Sequence, residues 1–138
     1  MNLLKRFHYS TKRFTQNHEW LQPLENRTVR LGITDYAQQA LGDLVYIELF
    51  KSIPSTTSPS NPAAIGLVES VKGASDLYSP LPGKILRLNE EVLKRPSLIN
   101  RDAEGAGWLC EIQLEQDGEK QMSELFTRNQ YDQFCLGK

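Results

Sequence analysis

Few residues in this 138-residue chain could do chemistry, and one lysine stands apart from them. The stretch GLVESVKGASDLYSPLPGKI, residues 66–85, sets Lys72 between Val71 and Gly73, at the junction of two runs that read as short strands. An amine at the tip of a tight turn has two uses. It is a solvated surface charge, the ordinary state of an exposed lysine, or it is an amine offered to another enzyme for acylation, because a protruding turn obstructs it little. A long acyl arm on its four-carbon stem would carry chemistry between separate active sites, the attached group supplying reactivity and the protein position. The residues alone favour the solvated charge.

The remaining candidates point away from catalysis. A nucleophile needs a base and an orienting group, yet His8 and His18 are the only histidines and Cys110 and Cys135 the only cysteines. That inventory hardly supplies a zinc site. GAGW at 105–108 lacks the lysine and following helix of a phosphate loop. Glu69 and Asp76 flank the Lys72 turn and read as surface carboxylates. No catalytic residue and no metal site is expected.

Lys72 must be positioned by extended structure. HEWLQPLENRTVRLGIT reads as two strands around a turn at Glu25-Asn26, and TDYAQQALGD as a short helix capped by Thr34 or Asp35 and stopped by Gly42. LVYIELF alternates, with Val45, Ile47 and Leu49 expected on one face and Tyr46 and Glu48 on the other. The Ser/Pro-rich segment after it is a loop, expected to be weakly ordered. AIGLVESV, SDLYSP and GKILRLNE continue as strands, SLINRDAEGAGW reads as irregular, and LCEIQLE closes the pattern. Residues 120–136 have helical spacing, with Asn129 expected to divide them into two short helices. Many short strands with small peripheral helices predict a mainly β domain.

Charge divides the chain. Residues 1–18 carry Lys5, Arg6, Lys12 and Arg13 and no acid; without those four, 12 bases face 17 acids, a net charge near −5. A basic, acid-free leader with hydroxyl residues reads as an organelle transit segment, here 1–14, with 15–138 as the folded domain and a cytoplasmic protein with a basic tail as the alternative. An acidic body behind four bases argues against nucleic acid as a partner, and no run reaches the roughly 20 apolar residues of a membrane span. Two cysteines at no CxxC spacing imply reduced thiols.

HEW at 18–20, GITDYAQQALGDLVYIEL at 32–49, GLVESVKGASDLYSPLPGKI at 66–85, LIN at 98–100 and GWL at 107–109 occur in order at suitable spacing. Together they resemble the glycine cleavage system H proteins, of mitochondrial type given the leader, from about Asn17 to Phe134. GITDYAQQALGD and the closing YDQF separate this likeness from other lipoyl carriers, and a biotin carrier would have methionines beside the lysine.

The resemblance implies a barrel-sandwich hybrid fold, lipoyl-domain-like, with lipoate in amide linkage to Lys72 at a β-turn. It implies a non-catalytic shuttle in the mitochondrial matrix. Such a shuttle takes an aminomethyl group from the PLP-dependent glycine decarboxylase and gives it to the tetrahydrofolate-dependent aminomethyltransferase. It then presents the reduced arm to dihydrolipoamide dehydrogenase, and a lipoyl-attaching enzyme is a further partner. In the family the loaded arm folds back on the protein. The positions lining that resting place correspond to Glu19 and Asp76, as acceptors for the amine, and to Asn17 where a serine is common. His18 reads as a packing or hydrogen-bonding residue. Tyr36 stands where histidine is usual, Gly73 where alanine is usual, and FKSIPSTTSPSNPAAIG replaces a more compact segment. Two alternatives share the fold: an H-like protein relaying lipoyl groups to other proteins, and an unmodified β-rich adaptor.

Overall fold

The computed structural model describes residues 12–137. β-Branched Thr28, Val29 and Ile33 favour extended backbone, and they lie in β3 (Thr28–Ile33), antiparallel to β2 (Glu19–Pro23). The connecting turn is made by Asn26 and Arg27, each at φ 57°. β1 (Arg13–Phe14) pairs with β2, β8 (Cys110–Leu114) with β3, and β7 (Gly83–Leu88) with β8, giving one five-stranded sheet ordered β1-β2-β3-β8-β7. β4 (Leu44–Leu49), β5 (Ala63–Ser70) and β6 (Gly73–Ser79) form a second, three-stranded sheet in that order. All pairings are antiparallel. This is the mainly β architecture the strand pattern predicts, arranged in two sheets.

Buried side chains of both sheets meet in one core, with Leu31 and Ile112 from the larger sheet against Ile65 and Val68 from the smaller. Cys110 belongs to this core, and burial pushes its thiol up to about 12. An aromatic cluster of Phe14, Trp20 and Tyr131 lies beside it. Trp20 pairs across the strands with Gly32, and its indole N–H donates to the Ala103 carbonyl at 3.0 Å. A Cβ on Gly32 would lie 2.5 Å from the ring, so HEW and GIT form one packing unit.

Among the described residues five helices decorate the sheets. α1 (Asp35–Leu41) starts as expected: the Thr34 hydroxyl accepts the Ala37 N–H, and Gly42 ends the helix at φ 83°. α2 (Glu90–Lys94) begins on the last residue of a run read as a strand, and α3 (Ser97–Arg101) lies in a stretch read as irregular. Each is only five residues long, and Asn89 nucleates the first by accepting the Glu91 N–H. α4 (Gly118–Ser123) and α5 (Arg128–Leu136) are the two C-terminal helices. They break before Thr127, whose capping box with Gln130 starts α5, so Asn129 lies within a helix and does not divide two.

Two further expectations change. Val45 is 61% exposed, because a β-bulge shifts register between Leu44 and Tyr46 and turns it outward; Leu44 and Ile47 are the buried pair. The folded domain also begins earlier than residue 15. Phe14 is fully buried in β1, and Lys12 donates to the Glu104 carbonyl at 2.6 Å while lying over Trp20. The rest of the basic leader, 1–11, lies outside the described residues. The Ser/Pro-rich loop carries no helix or main sheet strand, but it closes on itself through Thr57 to Pro54 and through paired Ser58 and Asn61. Among the described residues no helix is long and apolar enough to cross a membrane.

Gly32→Ala should destabilise the domain by about 1–3 kcal/mol, since the new methyl must displace a buried indole. Urea unfolding with tryptophan emission checks this, and unchanged stability and emission would refute the packing.

Candidate functional site: a hairpin lysine and the groove beside it

β5 and β6 pair with Ser70 opposite Gly73, so Val71 and Lys72 alone make the turn. The Ser70 hydroxyl accepts the Lys72 N–H at 3.1 Å and donates to the Gly73 carbonyl at 3.2 Å. The Val71 N–H reaches the Asp43 carbonyl at 3.3 Å, tying the tip to the start of β4. Gly73 sits at φ 149°, where a side chain would strain the backbone. These bonds hold the tip while leaving Val71 74% exposed and Lys72 exposed beside it.

The lysine stem lies over Gly42, where a Cβ would come within 3.3 Å of Lys72 Cε. Asn100 fixes that platform. Its amide N–H groups donate to the Gly42 carbonyl at 2.9 Å and to Gln38 Oε1 at 3.0 Å, and its oxygen accepts the Leu44 N–H at 2.9 Å. The sequence flagged LIN only as part of a likeness; the structural use of Asn100 depends on α3 meeting α1, which no local pattern shows.

A groove of about 610 Å³ lies beside β6. Asn17, Glu19 and Asp76, the three residues expected at the resting place, all line it, with His18, Tyr36 and Tyr78. Asp76 stands four residues along β6 from Lys72, roughly 13 Å on an extended strand. The groove joins the two sheets, since Glu19 comes from β2 and Asp76 from β6. The Glu69 backbone instead pairs with Tyr46 and Ala74, and Glu69 does not line the groove.

Glu19 is 4% exposed, and burial pushes its carboxyl up to about 7 against a 2.5 Å hydrogen bond from the Thr15 hydroxyl, which favours the charged form. His18 is a structural hydrogen-bonding residue here: Nδ1 lies 2.7 Å from the Tyr131 hydroxyl. A larger cleft of about 760 Å³ lies at β7, beside Lys51 and Trp108. Its Arg87 is already engaged, over Trp108 at 5.1 Å and against Glu111 at 3.0 Å, and the cleft borders no residue of β6, the strand that leads from Lys72. Among the described residues no group of three or more acidic, histidine or cysteine side chains could hold a metal.

Two curled antiparallel sheets presenting a lysine on a two-residue turn define a lipoyl-domain-like carrier. The glycine cleavage H-protein family model matches residues 12–137. The chain is similar to a glycine cleavage system H protein of Thermotoga maritima, 38% identical over 125 residues, covering 90% of this chain and 95% of the relative. It is also similar to a probable mitochondrial glycine cleavage system H protein 1 of Dictyostelium discoideum, 40% identical over 134 residues, covering 97% and 87%. A crystal structure of the H protein of Mycobacterium marinum superposes with a TM-score of 0.75 at 32% identity, covering 92% of this chain and 97% of that one. The chain belongs to the glycine cleavage H-protein family. It is therefore a non-catalytic, lipoyl-carrying shuttle of the glycine cleavage system, serving its decarboxylase, aminomethyltransferase and dihydrolipoamide dehydrogenase components.

Glu19 predicts a pH dependence. Its folded value lies above the ordinary carboxylate value of 4.5, so the folded state binds the proton more tightly. The associated stability is full below about 4.5 and is lost as pH rises through about 7. Urea midpoints of the unlipoylated protein should fall across that window relative to Glu19→Gln; parallel curves would refute the buried-carboxyl assignment.

Proposed function

We propose that Lys72 bears the lipoyl group and that the groove lined by Asn17, Glu19 and Asp76 is where the loaded arm rests. The observation that carries the reading is an exposed lysine at the head of β6 together with two carboxylates that line a groove beside that strand. The residues fit the group. Lys72 is exposed, no ion pair among the described residues engages it, and its stem is directed over a glycine platform. Acylation would remove the lysine charge, leaving a neutral tether at the tip.

When attached, the group supplies a dithiol and disulfide couple that accepts and gives up the one-carbon amine. The chain supplies the surroundings. Asp76, exposed at the groove mouth, and Glu19, buried at its base, would accept hydrogen bonds from the cargo amine, and a cationic amine near Glu19 would favour its ionised form. Ile33, Ala37, Leu41 and Leu77 give the groove apolar lining that excludes water from the cargo.

Intact-mass and peptide-mass analysis of the protein from its native cells tests the attachment site. A lipoyl adduct on Lys72, absent from a folded Lys72→Arg variant, is expected. An unmodified lysine throughout the population would favour the adaptor reading, and full modification without glycine-dependent loading would favour lipoyl relay. In the loaded protein, Glu19→Ala and Asp76→Ala should each speed loss of the cargo amine by about fivefold, the scale of one lost hydrogen bond. Unchanged loss in both would remove these residues from the resting place.

We further propose that the protein works in the mitochondrial matrix, supported by the basic, acid-free leader and by the mitochondrial designation of the Dictyostelium relative. Because Lys12 and Phe14 pack in the fold, the test is deletion of residues 1–11, not 1–14. The truncated chain should fold and fail to enter mitochondria; normal import would refute the transit role.

A further inference from the structure

Tyr131, on α5, is 3% exposed, and its ring stacks on Phe14 at 4.9 Å. Its hydroxyl meets two groups that lie far apart in sequence: His18 Nδ1 at 2.7 Å and the Thr34 hydroxyl at 2.8 Å. Thr34 is fully buried, and its hydroxyl also accepts the Ala37 N–H as the cap of α1. One buried phenol thus ties the loop before β2 to the first turn of α1.

Those two places carry facing rings. The His18 imidazole and the Tyr36 phenol stack at 4.2 Å with 21° between their planes, and both line the groove. The His18 backbone is tied on both sides, its N–H donating to the Thr15 carbonyl at 3.1 Å and its carbonyl accepting the Thr34 N–H at 2.9 Å, so what Tyr131 adds is a hold on the imidazole itself. His18 sits at φ 68°, an uncommon conformation for a residue with a side chain, which persists where neighbours fix it. Tyr36 is 44% exposed, and an aromatic side chain so open is restrained here by the ring beneath it.

We infer that α5 sets one wall of the groove, with Tyr131 as a positioning residue that holds the His18–Tyr36 stack against the space where the loaded arm rests. The inference rests on the groove reading above and extends it. The C-terminal helix then does more than cover the aromatic cluster. It keeps a two-ring wall in register with Glu19, the residue that follows His18. Losing the Tyr131 hydroxyl removes one hydrogen bond to the imidazole and one to the helix cap at once, while the ring remains to fill its place against Phe14. The wall loosens, and water reaches the cargo.

The test is the rate at which glycine-loaded, full-length lipoylated protein loses its cargo amine, compared with free lipoamide carrying the same group. Tyr131→Phe should lose it about fivefold faster than the unsubstituted protein, with Lys72 lipoylated normally. Tyr36→Ala, at an exposed position that does not threaten folding, should do the same, and Tyr36→Phe, which keeps the stack, should restore the original rate. Val92→Ala, a core substitution outside the groove, should lower the melting temperature and leave the rate alone. If the unsubstituted protein protects the amine and both Tyr131→Phe and Tyr36→Ala protect it equally well, the inference is overturned while the groove reading stands. If the unsubstituted protein protects no better than free lipoamide, the groove reading itself fails and takes the inference with it.

Discussion

The pairing of Ser70 with Gly73 across a turn of two residues is the constraint on which the rest of the site depends. A longer loop would let the lysine wander, and a buried one would hide it. Two residues leave almost no backbone freedom, so the stem direction is set by β5 and β6 and by what the stem meets. It meets Gly42, and Gly42 is held by Asn100 from α3. The peripheral helices therefore act on the lysine through the floor beneath it. Conformational entropy explains the economy: ordering a long side chain costs about 1.5–2 kcal/mol, and a stem resting on a platform has fewer states to lose when a partner takes hold of its end.

The groove shows a second economy, in where charge is placed. Glu19 is removed from water and given a single hydroxyl partner, which leaves it near the boundary between its protonated and ionised forms. A carboxylate satisfied by an arginine would be firmly ionised and already neutralised by its partner. Glu111, whose burial raises its carboxyl but whose bonds to Arg30 and Arg87 outweigh that and hold it below the ordinary range, is such a case on the larger sheet. The two acids show one residue type held by paired arginines in one place and by a lone hydroxyl in another.

Much of the strand framework was legible because alternation of apolar and polar residues reports directly on a two-faced sheet. Lys72 was legible for the same reason: two readable strands met at VKG. What failed has physical causes. Five-residue helices such as α2 and α3 are too short to show a 3.6-residue period, and the bulge at Val45 breaks alternation where one extra residue enters the ladder. Glu19 and Asp76 were brought together by family likeness and not by letter pattern, because they lie on strands of different sheets. Tyr131 and His18 are 113 residues apart, and their contact exists only once α5 has folded back over β1. No local signal could have announced it.

The placement of Cys110 has a consequence for fidelity. A carrier whose cargo group cycles between disulfide and dithiol forms risks a mixed disulfide with any thiolate that can reach it, since exchange proceeds through attack by the ionised sulfur. Cys110 is in the core with a thiol pushed up to about 12, so at neutral pH it is neither reachable nor ionised. Cys135 packs beside the aromatic cluster. At the core position, sulfur chemistry is thus left to the swinging group and its enzymes, and the strand that carries Cys110 stays electrochemically silent.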